Sequence, residues 1–158
     1  MTAKHQTLRF DSAEHTAQNA ALIAGHLEPG DVILLSGDVG AGKTHFARAL
    51  IKSLLMSPED VPSPTFTLVQ TYETTRGDVW HADLYRLTSV HEIEELGLIE
   101  AFDTSICLVE WPDRLGDLAP ENALWLEFFP EADAEARTVK VSWYDPRWAC
   151  RMSKWKMR

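Results

Sequence analysis

Apolar and polar positions along the chain repeat with two different periods, and the switches between them mark out the elements. Thr7-Leu-Arg-Phe10 alternates and predicts a short strand. Asp11 and Ser12 then offer an N-cap, with Glu14 spaced from Asp11 as a capping box requires. Ala17, Ala20, Ala21, Ala24 and Leu27 recur at helical spacing up to Pro29-Gly30. Asp31 to Ser36 is a continuous apolar run between turn residues, the pattern of a strand buried on both faces. Beyond a glycine-rich turn, Phe46, Ala47, Leu50, Ile51, Leu54 and Leu55 predict a helix from near Thr44 that stops near Ser57-Pro58. Pro62 and Pro64 stiffen the next loop. Thr65 to Tyr72 and Val79 to Tyr85 then read as strands joined by a turn at Arg76-Gly77-Asp78. Val90 to Phe102 predicts a helix broken at Gly97, followed by a buried strand over Ser105 to Glu110. Leu124 to Phe129 and Thr138 to Trp143 form a late strand pair around a polar loop.

Strands separated by helices, then strands alone, predict an α/β fold with a mixed, mainly parallel central sheet flanked by helices. At 158 residues the chain is sized for one domain, and 45% hydrophobic with 25% charged residues is ordinary globular composition. No apolar run reaches the roughly 18–20 residues needed to cross a bilayer. The start, Met1 to Gln6, has no apolar stretch behind its charge, so it does not read as a secretory signal. Cys107, inside an apolar run, and Cys150 form no CxxC pair, and the histidines show no metal-ligand spacing. A reducing, cytoplasmic location with no membrane partner is the expectation.

Charge changes the picture. The formal net charge of −9 disfavours general binding to phosphate backbones. From Arg147 onward there are five basic residues and no acidic ones, so the first 146 residues carry −14. The chain therefore divides into an acidic body over 1–146 and a basic tail over 147–158 containing Trp148 and Trp155. Two roles are open to that tail: docking elsewhere, or folding as a terminal helix onto its own acidic body.

The strongest chemical signal is the run Gly37, Asp38, Val39, Gly40, Ala41, Gly42, Lys43, Thr44, a full G-x-x-x-x-G-K-[ST] match. Glycines let the backbone wrap so that successive N–H groups converge on phosphates, and the following helix adds its positive dipole end. Lys43 is expected to reach the β- and γ-phosphates, and the Thr44 hydroxyl to ligate magnesium. The motif lies between an apolar strand and an amphipathic helix, the context it requires. Such a site wants a carboxylate at the end of a nearby buried strand. Glu110 is one candidate and Asp83, closing a second strand, is the other. His81 and His45 could contact phosphate or simply be packed or solvated. Trp111 and Trp80 read as core or rim aromatics.

Four ordered segments resemble the TsaE (YjeE) family of small bacterial P-loop ATPases: Gly37 to Thr44, Ser63-Pro-Thr-Phe66, His81-Ala-Asp-Leu-Tyr-Arg86 and Val109-Glu-Trp-Pro112. The resemblance spans about residues 8 to 145. It implies a P-loop NTPase-like domain that binds ATP and Mg2+ and hydrolyses ATP slowly. It also implies action with the TsaB and TsaD proteins in forming threonylcarbamoyladenosine at position 37 of tRNAs reading codons that begin with A, with tRNA met only through that complex. By position, Lys43 and Thr44 match the family's phosphate and magnesium residues. Glu110 matches its magnesium-associated acid, Asp83 its hydrolytic acid, and Trp111 the aromatic beside Glu110. Glu135-Ala-Arg137 resembles a segment whose arginine approaches the nucleotide.

Other classes remain in view. A small P-loop metabolite kinase would need an arginine-rich lid, and no segment between Lys52 and Leu118 is arginine-rich. A GTPase would need an N-K-x-D base-reading motif, which is absent. A nucleotide-gated assembly factor without productive turnover is the non-enzymatic alternative.

Overall fold

The computed structural model describes residues 3–57, 61, 68–132 and 135–155. Its elements run β1 (Lys4–Phe10), α1 (Ala13–Ala24), β2 (Val32–Ser36), α2 (Lys43–Leu54), β3 (Val69–Thr74), β4 (Gly77–Asp83), α3 (Val90–Glu95), α4 (Leu98–Thr104) and β5 (Ile106–Glu110). A 3₁₀ segment (Pro112–Leu118), β6 (Leu124–Pro130), β7 (Arg137–Trp143) and α5 (Pro146–Lys154) follow among the described residues. The expected broken helix is two helices, with Gly97 between them in the left-handed region at φ +77°. The expected strand from Thr65 begins instead at Val69; residues 65–67, like the Ser63–Phe66 segment, lie outside the described residues.

All seven strands form one sheet in the order β1-β7-β6-β2-β5-β4-β3. Its centre, β6-β2-β5-β4, is paired in parallel, and each flank is antiparallel. The apolar run of β2 is explained by this position, since helices cover both faces of the central strands. On one face Ile33, Leu35, Ile106 and Leu108 pack with α1, α2 and α5. On the other, Val32, Leu34, Cys107 and Val109 pack with α3, α4 and the 3₁₀ segment. Burial pushes the Cys107 thiol up to about 12, so it behaves as a small apolar core group.

The capping-box reading at α1 needs correction. Ser12, not Asp11, is the N-cap, its Oγ accepting from the His15 N–H at 3.0 Å. One Asp11 carboxylate oxygen pairs with Arg9, and the other lies 3.8 Å from the His15 ring rather than on a backbone N–H of the helix end.

Of the two roles open to the basic tail, folding onto the body is the one observed for residues 147–155; residues 156–158 lie outside the described residues. Asp145 caps α5, its carboxylate accepting from the Arg147 N–H at 2.9 Å. The Trp148 and Trp155 side chains are fully buried. Arg147 reaches the buried Asp31 carboxylate at 3.1 Å, and Arg151 ion-pairs with the same group. Trp155 packs 6.3 Å from Phe46, itself 5.7 Å from Phe128 and 6.3 Å from Phe10, and its indole N–H donates to the Asn19 carbonyl at 3.0 Å. The tail therefore finishes the core on the α1–α2 face.

Trp155→Ala should accordingly cost about 3–5 kcal/mol of unfolding free energy, the range for a large aromatic removed from a core. Trp155→Phe, which keeps most of the packing but drops the hydrogen bond, should cost much less. Urea unfolding of both variants measures the difference.

Candidate functional site

The glycine-rich turn joins β2 to α2, and its glycines are placed where the backbone demands them. Gly37 has φ +135° and Gly42, the residue before α2, has φ +109°. A Cβ on Gly37 would lie 2.7 Å from the Phe128 carbonyl oxygen, which no side chain tolerates. Arg137, the first residue of β7, braces the turn: its Nε donates to the Ala41 carbonyl at 2.7 Å and Nη2 to the Gly40 carbonyl at 3.2 Å. Two carbonyls of the turn are thus held against a cation.

Inside lies a cavity of about 500 Å³. The turn and the start of α2 wall one side, through Val39, Gly40, Gly42, Lys43, Thr44 and His45. Asp83, Tyr85 and Arg86 at the end of β4, Glu110 and Trp111 at the end of β5, with Leu68 and Arg137, wall the rest. Strand geometry explains how the acids arrive. β2 and β5 pair in parallel with Leu35 opposite Glu110, and β5 and β4 pair with Glu110 opposite Asp83. Because side chains alternate across a strand, His81 and Asp83 fall on the Glu110 face, the face that α2 covers.

Lys43 is buried against its own turn, its ammonium donating to the Gly37 carbonyl and lying 3.4 Å from that of Asp38. The same nitrogen sits 3.6 Å from the centre of the Trp111 ring, a cation–π contact. Burial lowers its pKa, and Glu110, Asp83, Asp38 and Asp113 partly restore the charged form. The Thr44 hydroxyl donates to Glu110 Oε1 at 2.6 Å. Glu110 is buried, and its Oε2 meets Nε2 of the fully buried His81 at 2.7 Å. Asp83 is half-buried. Burial raises its carboxyl pKa, the Tyr85 N–H at 3.0 Å opposes the shift, and the Glu110 charge adds to it.

Lys43, Thr44, Asp83, Glu110 and Arg137 therefore all border one cavity. His45 also lines it, although its Nε2 is spent on the Ala13 carbonyl at 2.8 Å. Trp111 is a rim aromatic with a special backbone, φ +60°, that turns its ring over Lys43 and within 4.8 Å of the Tyr85 ring. Trp80 is half-buried on the opposite face of the sheet, away from the cavity. Sequence reasoning assigned no role to Tyr85 or Arg86 and did not pair His81 with Glu110. The alternation of residues 79, 81 and 83 along β4 was the available signal.

The comparisons with known proteins agree on one family. The family described as threonylcarbamoyl adenosine biosynthesis protein TsaE matches residues 10–139. The chain belongs to the TsaE family. The tRNA threonylcarbamoyladenosine biosynthesis protein TsaE of Rickettsia felis is 45% identical over 111 residues, 70% of this chain and 65% of that protein, so the chain spans about two thirds of that relative's length. The protein of the same name from Treponema pallidum is 35% identical over 132 residues, 83% of this chain and 96% of that one. The crystal structure of YdiB from Bacillus subtilis superposes with a TM-score of 0.79 at 27% identity, covering 98% of this chain and 96% of its own. The TsaE match contains the whole cavity wall from the turn to Arg137.

Two glycines of the turn offer a comparison. Gly37→Ala and Gly40→Ala both force a residue with a Cβ into the left-handed region, at about 1–2 kcal/mol each. Only Gly37 adds a backbone clash, since nothing lies within 4 Å of a Cβ on Gly40. Urea unfolding midpoints should fall further for Gly37→Ala than for Gly40→Ala.

Proposed function

We propose that this TsaE-family chain is a magnesium-dependent, slow ATPase that supports the formation of threonylcarbamoyladenosine at position 37 of tRNAs reading codons that begin with A, acting with TsaB and TsaD. The observation that carries the ATPase reading is the convergence of the Thr44 hydroxyl, the Glu110 carboxylate and the Asp83 carboxylate beside Lys43 at the mouth of a phosphate-binding turn. The pathway and its partners rest on the family.

The residues fit the cofactor. Magnesium takes oxygen ligands and keeps several of its waters. Thr44 and Glu110 supply two oxygen groups, while the nearest imidazole nitrogen, on His81, is turned into Glu110 rather than the cavity. Bound magnesium would neutralise charge on the β- and γ-phosphates. The protein's own part is positioning. The N–H groups of the turn and the N-terminus of α2 receive the phosphates. Lys43, a buried cation that now leans on carbonyls and an indole, gains a stronger partner in a phosphate oxygen. Asp83 accepts a hydrogen bond from the attacking water, whose oxygen bonds to the γ-phosphorus as the bond to the bridging oxygen breaks. Its raised pKa makes it a better proton acceptor than an exposed aspartate.

The two acids should respond differently to substitution. A group that orients water acts mainly in the transition state, so Asp83→Asn should keep ATP affinity within a few-fold while turnover falls by the roughly 10²–10⁴-fold typical of positioned acid–base groups. Glu110→Gln should instead raise the magnesium concentration needed for tight nucleotide binding. ATP affinity across a magnesium titration, with single-turnover rates, separates them, and the opposite pattern exchanges the two roles. Adding purified TsaB and TsaD should raise the ATPase rate; no change in rate argues for a nucleotide-gated assembly factor.

A further inference from the structure

Glu110 is almost wholly buried, and a buried carboxylate is tolerated only when its oxygens are hydrogen-bonded. The two oxygens have separate partners: Oε1 receives the Thr44 hydroxyl at 2.6 Å and Oε2 meets His81 at 2.7 Å. The partners differ in kind. Thr44 lines the cavity and is free to respond to whatever binds there. His81 is fully buried in the interior of the sheet, its strand paired on both sides, with Gln70 opposite on β3 and Leu108 opposite on β5. A ring held at that point of the backbone has little freedom, and it fixes whatever it bonds. The other ring nitrogen, Nδ1, is buried and has no hydrogen-bond partner among the described residues. A bare lone pair there costs less than an orphaned N–H, so the ring proton belongs on Nε2, pointing at Glu110.

We propose that His81 is a positioning residue: it clamps one oxygen of Glu110 from inside the sheet, so that the other stays turned toward Thr44 and the cavity. The link to magnesium rests on the function proposed above for Glu110; the clamp itself does not. It explains why a carboxylate on the last residue of a strand, at the wall of the cavity, keeps one orientation. It also explains a histidine that touches neither the turn nor the cavity, yet lies on the same face as both acids.

The test uses the full chain with two substitutions. His81→Leu fills the buried space without a donor, and His81→Gln retains an N–H able to reach Glu110. Binding of a non-hydrolysable ATP analogue is followed by calorimetry across a magnesium titration. His81→Leu should raise the magnesium requirement by about 10–100-fold, the usual loss when the group that orients a metal-side ligand is removed, and His81→Gln should recover most of it. In a Glu110→Gln background, His81→Leu should add no further shift. An unchanged requirement in folded His81→Leu, or the same shift with Glu110 already replaced, overturns the proposal. A second readout needs neither metal nor nucleotide: the imidazole ¹⁵N NMR spectrum of the wild-type protein should report the proton of His81 on Nε2. A proton on Nδ1 alone overturns the clamp, and this spectrum decides the matter if His81→Leu does not fold. Wild-type nucleotide binding that ignores magnesium would overturn the metal reading of the site instead, while the spectrum still judges the clamp.

Discussion

The parallel register between β2 and β5 is the constraint on which the site depends. β2 delivers the chain to the glycine-rich turn, and β5 ends at the level where that turn begins, with Leu35 opposite Glu110. A slip of one residue would turn Glu110 to the other face of the sheet and leave Thr44 without its partner. The next pairing, β5 with β4, sets Asp83 level with Glu110 in the same way. Backbone ladders that are buried on both faces hold this register, so the acids are located by strand geometry more than by their own contacts.

That placement carries an electrostatic cost, and local partners offset it. Glu110 is taken out of water but keeps two hydrogen bonds. Asp83 stays half-exposed and takes a raised pKa instead. Lys43 loses solvation, recovers part through the surrounding acids, and rests its ammonium on the Trp111 ring. The Lys43 ammonium is thus partnered by carbonyls and an indole, both weaker partners than a phosphate, which leaves binding energy available for one. The left-handed backbone of Trp111, one of only two positive-φ non-glycine residues among those described, is where the fold bends to make that arrangement.

A second buried charge, far along the chain, holds the architecture together. Asp31 stands just before β2, and its carboxylate accepts from the Glu28 N–H at 2.8 Å and pairs with Arg147 and Arg151 of α5. The basic tail is therefore not a separate appendage. It closes the α1–α2 face beside the strand that carries the turn, with Trp148 and Trp155 in the core. Phe46, three positions into α2, touches Trp155, Phe128 and Phe10, so the helix that begins the site is packed from three sides.

Local pattern was enough to locate almost every element and the glycine-rich turn. Apolar periodicity reports burial, and the glycines of the turn report backbone conformations that other residues resist. The break at Gly97, the turn at Gly77 and the strand ending in Glu110 were all legible for this reason. That Asp83 and Glu110 each close a strand was legible too. What could not be read was any relation between residues distant in sequence. Strand order decides that Glu110 lies between Thr44 and His81, and that Arg137 braces the carbonyls of Gly40 and Ala41. Composition left the basic tail with two roles, because charge complementarity is compatible with docking inside or outside the molecule. Only the tertiary structure decided, by supplying a buried carboxylate and an aromatic pocket at the distance α5 can reach.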